Sequence, residues 1–207
     1  METRKLGEDE VKGILESSGA LLSGHFLLTS GRHSGQYVQC AQVLKYPRHC
    51  ETLGRAIAAA FAGEDIDLVI GPALGGVIIA YEVARALDAQ CLFTERENAK
   101  MTLRRGFRVT PGDRVLVVED VVTTGGSVME VMDVVRECGG EVAGVGVIVD
   151  RSGGKVDFGV RKYALLTLDI ATYTPEECPL CMAGEVPPIK PGSRNSVVSR
   201  QTSVVGT

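Results

Sequence analysis

Three runs made almost wholly of Val, Ile, Leu and small residues, at 67–70, 115–118 and 142–149, punctuate this chain, each set off by segments of helical periodicity. A strand with one wet face alternates apolar and polar residues; a strand that is apolar throughout needs cover on both faces. The intervening segments can supply it. From about residue 48, Cys50, Leu53, Ile57, Ala58 and Phe61 line one face of a helix, Val77–Leu87 reads as a second, and Ser127–Cys138 carries Val128, Val131, Met132 and Val135 on one stripe before the Gly139-Gly140 stop. Strands alternating with helices predict an α/β fold, an open and mostly parallel sheet flanked by helices.

Around that core the pattern is weaker. Residues 9–22 read as an amphipathic helix through Val11, Ile14 and Leu15, and 23–47 read as an irregular lobe of short extended pieces and Ser-Gly turns. Cys91-Leu-Phe93 is a short strand, 95–112 a charged connection, and Tyr163–Leu168 a further strand. From 187 to 207 the chain is rich in Ser, Pro, Gly and polar residues, which predicts a disordered tail. At 207 residues the chain suits one domain. Its formal charge of −4, without a basic run, argues against nucleic acid or an anionic membrane as partner. Neither a membrane span nor a signal-peptide core is visible, so the expectation is cytoplasmic.

The segment richest in chemistry is Val115-Leu-Val-Val-Glu-Asp-Val-Val-Thr-Thr-Gly-Gly-Ser127. A buried strand delivers two adjacent carboxylates at its C-terminal end, where ligands of open α/β sheets bind, then turns into a helix. Loop N–H groups, hydroxyls and the helix N-terminus form a cradle for a phosphate monoester. Two acids beside such a cradle make sense if they grip hydroxyls or lie near a divalent metal. Gly71-Pro-Ala-Leu-Gly-Gly76 repeats the strand-loop-helix theme on a smaller scale. Nucleoside-triphosphatase and dinucleotide fingerprints are missing.

These residues are similar to the phosphoribosyl-pyrophosphate signature of the type I phosphoribosyltransferases, and the resemblance spans roughly 10–185. It implies that family's fold, with a core at about 48–160 under a small hood from about 10–47 and 163–186. It further implies that Thr123, Thr124, Gly125, Gly126 and Ser127 hold the 5′-phosphate, with Val121 and Val122 leading into the loop. Glu119 and Asp120 would contact the ribose hydroxyls, and Ala73, Gly75 and Gly76 the pyrophosphate.

Within the family the chain resembles the orotate branch, in a short-loop form, on three segments: His25-Phe-Leu-Leu-Thr-Ser-Gly-Arg-His-Ser34, Gly71-Pro-Ala73 and Val149-Asp-Arg-Ser-Gly153. That implies Arg151 on the orotate carboxylate, Thr123 reaching the base and Tyr37 stacking on it. Mg²⁺ would be held mainly by substrate rather than by protein. A homodimer is implied, with a basic loop at 95–106 reaching the neighbouring site; Arg96 and Lys100 are its best candidates, Arg104 and Arg105 in reserve. The chain departs from the branch at Thr29 and Gly75, where lysines are common, and its basic loop lacks a histidine. A purine phosphoribosyltransferase and a nucleotide-sensing regulator on the same fold are the other readings.

Of six cysteines, Cys40, Cys50, Cys91 and Cys138 are scattered singly and read as inert buried thiols. Cys178-Pro-Leu-Cys181 has knuckle spacing, but zinc usually takes four ligands and no second pair or nearby histidine completes the set, so a local turn is expected.

Overall fold

A computed structural model describes residues 6–184 and 186–191. In chain order the elements are α1 (Glu8–Ser17), β1 (Leu21–Leu27), β2 (His33–Val38), α2 (Ala41–Leu44), α3 (Pro47–Ala60), β3 (Leu68–Pro72), α4 (Gly75–Leu87), β4 (Gln90–Glu97), β5 (Lys100–Leu103), β6 (Arg114–Val122), α5 (Gly126–Glu137), β7 (Glu141–Asp150), β8 (Lys162–Thr167), β9 (Thr172–Tyr173) and α6 (Pro179–Ala183).

Six strands form one sheet in the order β5-β4-β3-β6-β7-β8. All neighbours pair in parallel except β4 with β5. The all-apolar strands follow from burial on both faces. Along β6, Leu116 and Val118 join the layer that contains α1, α3 and α4, whereas Val115 and Val117 join the layer under α5. Packing against β7 is tight enough to dictate its glycines. A Cβ on Gly144 would lie 2.5 Å from the Phe61 ring, and one on Gly146 would lie 2.5 Å from Ile57.

The chain divides into two compact units, Met1–Leu22 with Val38–Ile170, and Ser23–Tyr37 with Ala171–Thr207. Residues 10–22, 38–47 and 163–170 lie in the first unit. The stretch 23–37 is not irregular. There β1 and β2 make a hairpin, turned at 28–32 by bonds from Leu28 N–H to the Arg32 carbonyl and from Gly31 N–H to that of Leu28. His33 and Ser34 then pair antiparallel with Tyr173 and Thr172 of β9. Few of these residues are large and apolar, which hid the strands from a hydrophobicity pattern.

Part of the expected tail is also ordered against β1. Ile189 N–H donates to the His25 carbonyl and Leu27 N–H to that of Ile189. The rest of that expectation, 192–207, lies outside the described residues.

The charged connection after β4 is a second correction. β4 runs on to Glu97 and folds back through Asn98 and Ala99, both at positive φ, into β5. Alternating charges on an exposed edge hairpin look like loop composition. Ala99 at φ 67° also carries none of the Gly signal such a turn normally shows.

Candidate active site

β3 and β6 are neighbours, so the loops leaving their C-terminal ends meet side by side. The β6 loop ends at Gly125, whose φ of 79° starts α5. A Cβ there would stand 2.7 Å from Val156 and 2.9 Å from the Phe158 ring, so the loop is pressed into a space only glycine fits. No side chain caps α5, which leaves its first-turn N–H groups facing the cleft. That cleft is lined by Glu119, Val121–Ser127 and Val128, a concave surface of hydroxyls and backbone. Such a helix start favours an anion.

The β3 loop comes closer to the acids than spacing alone implied. A Cβ on Gly75 would land on the Asp120 carboxylate, and one on Gly76 would lie 3.1 Å from Glu119 Oε1. Any side chain at 75 would therefore displace the acid. Gly71 packs its backbone against Gly76 and Val118, and Ala73 N–H is held by the Thr94 carbonyl at 2.9 Å. The Ala73–Leu74 peptide is cis. α4, too, starts without a side-chain cap.

Glu119 is buried and Asp120 half-buried. Glu119 Oε1 accepts the Asp120 N–H at 3.1 Å, and Asp120 Oδ1 accepts the Val121 N–H at 2.8 Å. Burial pushes both carboxyl groups above their ordinary range, and for Glu119 the neighbouring Asp120 adds to the rise. Both acids therefore resist ionisation more than isolated carboxyl groups would. Behind it, the Cys40 thiol reaches the Asp120 carbonyl at 3.6 Å. Burial first, then the charges of Asp120 and Glu119, raise that thiol well above its usual value, in keeping with an inert cysteine. Its place behind the acids carries no sequence signal.

Arg151 follows β7 directly, and its N–H bonds the Val122 carbonyl at 2.8 Å, so the residue is anchored beside the base of the phosphate loop. The preceding Asp150 has a separate task. It is fully buried, bonded to Lys162 Nζ at 2.7 Å and to the Ser152 hydroxyl at 2.6 Å. Burial alone would raise its carboxyl; the Lys162 and Ser152 bonds outweigh it and hold the group below its usual range.

The basic candidates separate by what engages them. Arg96 bonds the Ala99 carbonyl and Glu130 on α5, and Arg105 forks onto Glu95. Arg104 lies 3.6 Å from Glu97. Lys100, exposed at the hairpin tip, makes no side-chain ion pair among the described residues. Tyr37 belongs to the second unit, where its ring packs 5.7 Å from that of Phe26.

A third grouping was not assembled from sequence. In the second unit, His25, His33, Cys178 and Cys181 converge, all four ligand atoms within 4.8 Å of one another. The CPLC turn is therefore not isolated: the β1–β2 hairpin brings it two histidines. Elsewhere among the described residues, no helix is long and apolar enough to cross a membrane.

The phosphoribosyl transferase domain model matches residues 40–169. The orotate phosphoribosyltransferase of Pelotomaculum thermopropionicum is 62% identical over 186 residues, covering 90% of this chain and 97% of its own. A crystal structure of the Aeropyrum pernix orotate phosphoribosyltransferase superposes with a TM-score of 0.66 at 28% identity, over 76% of this chain and 93% of that one. The Mycobacterium tuberculosis orotate phosphoribosyltransferase in complex with 5-phospho-α-D-ribosyl 1-diphosphate gives 0.61 at 30% identity, over 78% and 96%.

Proposed function

Because the chain belongs to the phosphoribosyltransferase family, and within it to the orotate phosphoribosyltransferases, we propose that it transfers the phosphoribosyl group of phosphoribosyl pyrophosphate to N1 of orotate, giving orotidine 5′-monophosphate and pyrophosphate on the way to UMP. The observation that carries this reading is the junction of the β3 and β6 loops. There an uncapped helix start and a hydroxyl-rich loop line one cleft with Glu119, and the bare backbone of the β3 loop packs against Asp120.

Each part has a task. Thr123–Ser127 and the first turn of α5 bind the 5′-phosphate by N–H and hydroxyl donation. Glu119 and Asp120 accept from the ribose 2′- and 3′-hydroxyls. Because burial disfavours their charged forms, the free pair repels an incoming phosphate less than two fully ionised acids would. The bare backbone of Ala73, Gly75 and Gly76 admits the pyrophosphate close to the acids. Arg151, anchored by Val122, meets the orotate carboxylate, a charge-assisted contact a neutral purine could not repay. Thr123 completes recognition of the base.

As the C1–pyrophosphate bond breaks, positive charge develops on the ribose ring, and the Asp120 and Glu119 carboxylates stabilise it. N1 of orotate forms the new bond from the opposite face and gives up its proton to solvent; the electron pair of the broken bond leaves on pyrophosphate. No covalent enzyme intermediate is required.

Mg²⁺ fits this site. Oxygen donors suit it, and acids raised by burial and mutual repulsion are relieved by a divalent cation nearby. Glu119 and Asp120 would lie nearest to it, with substrate oxygens as the main ligands, and the ion supplies charge neutralisation of the pyrophosphate. Lys100 is the basic group best placed to be contributed to a partner's site. A dimer is supported by the exposed stripe Leu74, Ile78 and Tyr81 along the start of α4.

Purified protein given phosphoribosyl pyrophosphate, Mg²⁺ and one of orotate, adenine, hypoxanthine, xanthine or uracil should release pyrophosphate with orotate alone. Arg151→Leu should raise KM for orotate far more than KM for phosphoribosyl pyrophosphate. Release with a purine would overturn the orotate assignment, and silence with every base despite ligand binding would favour a sensor.

A further inference from the structure

The second unit buries unusual chemistry for its size. Among its described residues only His25, Phe26, His33, Ser34 and Cys178 are buried, and Cys181 is half-buried beside them. A lobe with one buried aromatic ring lacks the apolar core that would hold it together.

At its centre, His25 Nε2 lies 2.9 Å from His33 Nδ1, 3.4 Å from Cys178 Sγ and 3.6 Å from Cys181 Sγ. Cys181 Sγ is 3.2 Å from His33 Nδ1. Hydrogen bonding alone does not account for this convergence. His25 Nδ1 sits 2.7 Å from the Val186 carbonyl, which can only accept, so Nδ1 carries the proton and Nε2 presents a lone pair. Three groups then crowd a single lone pair that satisfies one donor well.

A cation accepts all four at once. Around a tetrahedral zinc, with bonds of about 2.3 Å to sulfur and 2.0–2.1 Å to nitrogen, ligand atoms stand roughly 3.3–3.8 Å apart. Four of the separations, at 2.9, 3.2, 3.4 and 3.6 Å, are close to that range, and all lie within 4.8 Å, before any adjustment to an ion. The bond from His25 Nδ1–H to a backbone carbonyl is the outer contact that orients metal-bound imidazoles.

We propose that His25, His33, Cys178 and Cys181 form a structural zinc site that fastens the β1–β2 hairpin to the C-terminal segment. Four protein ligands close the coordination sphere, so the ion is a clamp with no position for substrate. The two thiols release their protons to solvent on binding, and two thiolates balance the dication, leaving a neutral centre suited to burial. The site shares no residue with the acid pair of the first unit and does not depend on the identity of the base.

The full-length protein, purified without chelator, should carry one zinc per chain by elemental analysis, on top of any Mg²⁺ added for assay. Replacement by cobalt(II) should give thiolate-to-cobalt charge transfer at the intensity of two thiolates, with the intense d–d bands of tetrahedral cobalt. Cys181→Ser and His33→Ala should each abolish stoichiometric zinc retention, whereas Cys138→Ser, outside the cluster, should retain it. Should those variants fail to fold, the cobalt spectrum of the unaltered protein decides by itself. Weak octahedral bands, zinc retention indifferent to Cys181→Ser, or a Cys178–Cys181 disulfide in the freshly purified protein would each overturn the site.

Discussion

In the first unit the largest fully buried side chains are apolar throughout, with Phe61, Leu53, Ile57, Ile79 and Leu116 among them. In the second, the buried positions are mostly ring nitrogens, a hydroxyl and sulfur. The first can be stable from burial alone, at roughly 25 cal/mol per Å² of apolar surface. The second has too little such surface and depends on directional bonds. The difference teaches where to look for chemistry: against a hydrocarbon background, each buried polar group needs a reason. Asp150 has one in Lys162 and Ser152, which makes it structural. Glu119 lacks a cationic partner within hydrogen-bond reach among the described residues, which makes it a binding group in waiting.

The contrast between cores is tested most directly by two aromatic truncations. Phe61→Ala should cost about 3–5 kcal/mol in denaturant unfolding, because β7 packs on that ring through bare glycine backbone. Phe26→Ala should cost no more than about 2 kcal/mol. Equal losses would break the comparison.

Next in size is Lys162→Met, expected to destabilise by about 3 kcal/mol at neutral pH by stranding the Asp150 charge. In the unaltered protein the depressed Asp150 contributes stability above the ordinary aspartate range, lost as pH falls through its folded value. The penalty of Lys162→Met should therefore shrink in acid, and a penalty independent of pH would remove the ion pair as its cause.

Asp120→Asn sharpens the distinction between structural and functional acids. Turnover should fall by about 10²–10³-fold, with a melting temperature unchanged or higher, since a raised acid is not holding the fold together. Unchanged turnover would remove Asp120 from the site.

The smallest effect is a pH slope. Glu119 keeps its proton in the folded protein over a window, from near 4.5 up to about 9, where the unfolded chain has lost it. Stability therefore declines as pH rises through that window. Glu119→Gln should flatten the decline by at least about 1 kcal/mol between roughly pH 6 and pH 8. Parallel stability profiles would show that Glu119 is not held protonated.

The parallel core was legible because full burial forces Val and Ile to run without interruption, as at 115–118, whatever the sequence around them. The phosphate loop was legible because hydroxyls and glycines at Thr123–Ser127 are contiguous. The β1–β2 and β4–β5 hairpins were not, since their stabilisation lies in edge pairing and polar contacts that leave no period-2 apolar signature. The closeness of Gly75 to Asp120 was hidden because it depends on the register of β3 with β6. The His and Cys cluster was half visible, as a CPLC turn. Its histidines are as near in space as they are far in sequence.

That separation bears on the order in which the protein can be made. His25 leaves the ribosome early, and Cys178, the residue it meets, is 153 positions later. The hairpin must wait through synthesis of nearly the whole parallel sheet before its own centre can close. Until then its histidines and edges are open to whatever metal or neighbouring strand the nascent chain encounters. Closing so long a loop is entropically unfavourable and slow, which makes the second unit the last part to mature and the first to come apart.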